Sequence, residues 1–134
     1  MSKENVEKVR EVVDAFNRRD FTAALAPLRN DVSWERFLSR ADAATPTVRG
    51  KTELLAVWKS QVEAVDIRVE PEEFISVGNK VVAPMRMLAR GSGSEIELTT
   101  SVTWVSTFDE GGLCSKVEAY ESRDDALRAA ELAE

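Results

Sequence analysis

Trp34 and Arg36 stand two residues apart in DVSWERFL (31–38). In an extended chain that spacing puts an indole and a guanidinium on one face together with Val32. An arginine on an apolar face needs an anion opposite it, because an unpaired buried charge is very costly. That anion could be a side-chain carboxylate, or a ligand carboxylate or enolate oxygen gripped bidentately. Glu121, at the end of the last alternating stretch (113–121), is the acid that could move a proton as a general base. Its plainer reading is a surface carboxylate. Arg36 and Glu121 are thus the two candidate catalytic groups.

What the chain lacks narrows the chemistry further. It has no histidine and one cysteine, Cys114, so no imidazole can activate a serine or thiol nucleophile. A zinc site of thiolate and imidazole ligands cannot be assembled either. No metal and no cofactor is expected. Cys114 has only Lys116 as a basic neighbour and reads as an inert thiol. A single cysteine forms no internal disulfide, and a reducing cytoplasm is the expected setting.

Charge excludes other classes. Eighteen basic and 24 acidic residues give −6, and residues 108–134 carry −5 of it through eight acids and three bases. No Lys/Arg cluster interleaved with aromatics appears, so no nucleic-acid partner is expected. The opening MSKENVEKVREVVDAF has no apolar core of the signal-peptide kind, and no run of about 18 apolar residues occurs, so no membrane span is expected.

The elements that must position these groups follow from periodicity. Val6, Val9, Val13 and Phe16 recur at helical spacing, with Val12 widening the stripe, and predict a helix over 3–17. Arg18 and Arg19 suit its C-terminal end. Asp20 is placed to cap a short second helix, FTAALAPL, which Pro27 limits. Residues 31–38 read as a strand, and 39–50 as a loop or short hairpin. KTELLAVWKSQVEAV (51–65) reads as a helix burying Leu54, Leu55, Trp58 and Val62. The period then shortens to two. Strands are expected over 67–77, 81–90, 95–108 and 113–121, joined by turns at Gly78-Asn79, GSGS (91–94) and Gly111-Gly112. RDDALRAAEL closes the chain as a helix. Helices early and hairpins late predict an α+β fold, one domain over 1–134. In it a cone-shaped, curved antiparallel sheet packs against three helices of the N-terminal half. Its internal cavity is where function would sit.

The sequence resembles the SnoaL-like, nuclear transport factor 2-like superfamily, which includes the ketosteroid isomerases. NRRDFTAALAPLRNDVSWE (17–35), VRGKTELLAVW (48–58) and TFDEGGLCSKVEAYES (107–122) carry the resemblance, over almost the whole chain. The superfamily mixes isomerases, cyclases, hydrolases and non-catalytic binders, so the resemblance implies the fold more than a reaction. Set against the ketosteroid isomerases, the oxyanion-hole tyrosine falls on Val12, the proton-shuttling aspartate on Arg36 and the oxyanion acid on Trp104. That reaction is not expected here.

The same register implies the lining of the cavity. Trp34, Arg36, Trp58, Met85, Met87, Thr100, Trp104, Ala119 and Glu121 become the expected ligand-binding residues. Three readings stay open. The chain could bind a small apolar molecule, neutral or anionic, in that cavity. It could be an isomerase, cyclase or dehydratase acting on a polyketide- or steroid-like substrate, with Arg36 stabilising an enolate. Or it could be a structural dimer whose three indoles fill the core. Relatives commonly pair through the outer sheet face, which here would present Arg86, Leu88, Thr99, Ser101, Thr103, Val105 and Tyr120, so a homodimer is expected.

Overall fold

The computed structural model describes residues 2–37, 47–91 and 96–132, and of Arg36 its backbone alone. Most of the expected 39–50 loop and of the GSGS turn lies outside the described residues. Helix α1 (Ser2–Asn17) buries Val9, Val12, Val13 and Phe16, the stripe that its spacing predicts. It ends in a double closure. Asp20 N–H donates to the Ala15 carbonyl and Arg19 N–H to the Phe16 carbonyl, with Arg19 left-handed at φ 64°. This is the usual way a helix satisfies its last carbonyls, with arginine where glycine is commoner. The Arg19 guanidinium stabilises the arrangement by donating to Phe16 O, Ile67 O and Asp66 Oδ1. Asp20 then caps α2 (Phe21–Leu25), its carboxylate accepting from Ala23 N–H at 3.2 Å.

The strands are β1 (Leu28–Phe37), β2 (Val48–Arg49), β3 (Val65–Pro71), β4 (Ile75–Val77), β5 (Lys80–Gly91), β6 (Glu97–Phe108) and β7 (Cys114–Tyr120). They form one curled sheet in the order β2-β1-β7-β6-β5-β3, with β4 also on β5. Helix α3 (Lys51–Ala64) joins β2 to β3, and α4 (Arg123–Leu132) follows β7. Helices α1, α2 and α3 close the concave face around one large core, and the cone is the α+β architecture that the sequence predicts.

Three features differ from the expectation in detail. The β1–β7 pair is parallel, Trp34 opposite Val117 and Arg36 opposite Ala119, so the sheet is mixed although every other pair is antiparallel. Strand β1 reaches β7 only through the tertiary fold, and no hairpin fixes its direction. The expected strand 67–77 is two strands. Pro84 of β5 explains the gap: its carbonyl accepts from Glu72 N–H, but it has no N–H to return, so the ladder breaks there. Third, α4 lies on the convex face. Its Ala126 and Ala130 pack on Val82 and Val105, with Ile75, Val77, Tyr120 and Leu127 around them. Val105 and Thr103 are therefore buried, not offered to a partner. Arg86, Thr99 and Ser101 remain exposed on that face, with Leu88 half-buried. Among the described residues no helix is long and apolar enough to cross a membrane.

Candidate binding cavity

Alternation along four strands sends Trp34, Val81, Ala83, Met85, Val102, Trp104, Val117 and Ala119 into the core, the faces that period two predicts. The three indoles meet there. Trp34 stands edge-on to Trp58 at 5.8 Å and to Trp104 at 5.3 Å, interplanar angles 89° and 80°. Trp58 continues the contact to Phe16 and Phe21 at 5.6 and 5.9 Å. Such edge-to-face pairs each add about 0.5–1.5 kcal/mol beyond the area they bury. The aromatic chain thus fills the part of the cone against α2 and α3.

On the other side of Trp34 a cavity remains between α1, β1, β6 and β7. Val9, Val12, Leu28, Trp34, Trp104 and Phe108 form its apolar wall, with Pro27, Cys114 and Val117. Its polar lining is short: Lys8 and Ser106. The cavity volume is about 10 Å³, room for about one water. A larger occupant must displace side chains of this wall, of which Trp104 is half-buried.

Of the expected ligand residues, Trp34 and Trp104 line this cavity. Trp58 and Met85 are buried in the core away from it, Met87 packs partly buried on that core, and Ala119 is buried beside β1. Thr100 is exposed on β6, on the strand face it shares with exposed Ile96 and Leu98. Glu121 lies just past β7 and is exposed. Glu121 is not among the residues that line the cavity, and the Arg36 side chain lies outside the described atoms. Among the described residues no group of three His, Cys, Asp or Glu side chains could hold a metal ion.

The sequence reading missed most of this lining, among it Val9, Val12, Leu28, Phe108 and the charged Lys8. Lys8 lies next to Val9 and one turn before Val12, a position at the edge of the apolar stripe. Half-buried, its ammonium donates to the Gly112 carbonyl in the β6–β7 turn. Gly112 has φ +85°, and a Cβ there would lie 2.7 Å from Lys8 Nζ. Gly112→Ala should cost about 1 kcal/mol from the left-handed backbone alone and should also push the ammonium aside. A urea titration reads the loss, and unchanged stability would refute it.

Cys114, at the floor of the cavity, is 2% exposed. Burial pushes its thiol up from 9.0 to about 12, while hydrogen bonds at the Lys116 and Thr107 backbone oppose the shift. The thiol is thus neutral, and the native protein should be silent to Ellman's reagent at pH 8 and reactive in urea. Because the folded state holds this proton more tightly, its contribution to stability is complete below about pH 9 and is lost as pH rises towards 12. Urea midpoints at pH 8 and 10 should therefore fall less in Cys114→Ala than in the parent. Tyr120, raised from 10.0 to about 12 by burial and then by Glu118, adds a fall that begins higher.

The fold and cavity define a class, the helix-closed α+β cone with an apolar interior. Residues 9–116 match the SnoaL-like domain family, and the chain belongs to it. Solved structures agree in shape. An NTF2-like protein of unknown function from Burkholderia pseudomallei is 26% identical, with a TM-score of 0.77 over 96% of this chain and 97% of that one. An NTF2-like protein from Burkholderia xenovorans is 23% identical, with a TM-score of 0.73 over 97% and 98%. TerC, co-crystallised with polyporic acid, is 19% identical, with a TM-score of 0.75 over 96% and 98%. No protein of curated function matches the chain in sequence.

Proposed function

We propose that this SnoaL-like protein binds a small apolar molecule inside the cone and does not carry out the ketosteroid isomerase reaction. The observation that carries the reading is the apolar wall of Val9, Val12, Leu28, Trp34, Trp104 and Phe108, with only Lys8 and Ser106 as polar lining. A pocket of this composition favours a flat hydrophobic body, with the polar groups fixing its orientation. Structures of the same fold support it by analogy: TerC with polyporic acid, and RV0760c of Mycobacterium tuberculosis with estradiol-17β-hemisuccinate. Against the isomerase reaction, Val12 and Trp104 line the cavity where that family would carry a tyrosine and an acid, and neither can hold a proton for transfer.

In this reading Trp104, half-buried in the wall, swings aside on binding. Its contact with Trp34 is worth about 0.5–1.5 kcal/mol, less than burial of an aromatic ligand returns at about 25 cal/mol per Å². Titration with 2-naphthamide, 2-naphthoate and estradiol-17β-hemisuccinate tests the reading through tryptophan fluorescence and thermal stability. Saturable quenching with a raised Tm is the expected result. A flat response to all three overturns it and leaves the second reading, a core filled by its own indoles, which the Trp58–Trp34–Trp104 chain favours. We also infer a homodimer through the part of the convex face that α4 leaves open, around Arg86, Thr99 and Ser101. Sedimentation equilibrium giving the monomer mass would overturn that. The lone buried thiol suits a cytoplasmic setting.

A further inference from the structure

The charge inside the cavity carries an inference about the ligand. Among the eleven described residues that line it, Lys8 is the single charged group. Its partner is a neutral carbonyl, that of Gly112, and among the described residues no carboxylate lies within ion-pair distance of its Nζ. Of the two acids in the β6–β7 turn, Asp109 accepts from Leu113 N–H at 2.9 Å and pairs with Arg29 at 3.6 Å, and Glu110 is exposed. The remaining titratable lining group, Cys114, keeps its proton. Ser106, 4% exposed, adds a hydroxyl donor in the wall, and everything else is apolar. Among the described residues the lining therefore carries one positive charge and no negative one, beside an aromatic slot. A single cation at the edge of a low-dielectric cavity favours one anionic group on an otherwise apolar body.

Resting on the reading of this cavity as a binding site, we propose that its ligand is an apolar monocarboxylate. Its body lies against Trp34, Trp104 and Phe108, and its carboxylate takes the Lys8 ammonium in place of the Gly112 carbonyl. The anchor is thus on α1. The exchange is favourable because a charge-assisted hydrogen bond replaces one to a neutral acceptor, while the Gly112 carbonyl turns to water at the surface.

The test uses a matched pair, 2-naphthoate and the neutral 2-naphthamide, titrated against the full chain and against Lys8→Met and Lys8→Arg. Circular dichroism checks that each variant is folded. The parent should bind the acid about tenfold more tightly than the amide, a modest figure for one charge-assisted bond. Lys8→Met should bring the ratio to about one, chiefly by weakening the acid, and Lys8→Arg should keep most of it. Equal binding of acid and amide by the parent, or a preference that survives in Lys8→Met, overturns the anchor and leaves the apolar cavity standing. Binding of neither compound overturns the cavity reading and the anchor with it.

Discussion

Replacing Trp34 by alanine should destabilise the protein by about 3–5 kcal/mol, the range for deleting a large aromatic from a packed core. Trp34 is 8% exposed and is the member of the aromatic chain that touches both other indoles. Its removal deletes two edge-to-face contacts at once. It also joins the empty space to the cavity beyond it, so the wall cannot simply collapse. For a chain of this length the loss is on the order of half its stability. Urea denaturation followed by circular dichroism measures it, and a loss under 1 kcal/mol would show that the indoles do not carry the core. The same substitution tests function. If the cavity binds an aromatic body against Trp34, binding of the naphthyl probes should weaken as well, even at temperatures where the variant is fully folded.

Asn17→Ala should cost about 2 kcal/mol, from two lost hydrogen bonds and the partly buried groups left behind. Its side chain grips the backbone of one residue from both sides: Nδ2 donates to Val69 O at 2.8 Å, and Val69 N–H donates to Oδ1 at 2.9 Å. Val69 sits on β3, the edge strand of the sheet, so the amide of Asn17 stands in for the neighbouring strand that β3 lacks. Asn17→Asp keeps the acceptor and loses the donor, and should recover part of the loss. Amide hydrogen exchange gives the decisive reading. The Val69 N–H should lose protection in Asn17→Ala more than its β5-bonded neighbours do, and equal protection would refute the staple.

This pair of residues shows why the segment 17–20 resembles a family motif. Asn17 holds β3, Arg19 closes α1, and Asp20 starts α2, so NRRD is a structural joint rather than a site. The resemblance marked the residues, but their partners, Val69 and Ile67, are about fifty positions away and leave no local signal. The candidate site divides in the same way. Trp34 and Trp104 were legible because strand alternation assigns each to a face. Met85 and Ala119 were placed on the correct face, yet that face is wider than the cavity, and periodicity cannot say which part of it stays empty. Thr100 shares the same alternation and is exposed, because alternation assigns a face and does not say how far along β6 that face stays covered. Lys8 was missed because a lysine at the edge of an apolar stripe reads as solvated in sequence. Only the approach of the β6–β7 turn, allowed by a glycine at φ +85°, gives it a place in the wall.

What the sequence determined by itself is whatever depends on neighbours within a few residues. The helices and their buried stripes, the strands and their faces, the Gly78-Asn79 and Gly111-Gly112 turns and the absence of imidazole chemistry are all of this kind. The tertiary structure alone decided the parallel β1–β7 pairing, the packing of α4 on the convex face, the contact of three indoles and the position of the charged group at the cavity. These rest on contacts between residues tens of positions apart, and such contacts form only when burial of the whole core offsets the entropy of closing the chain between them.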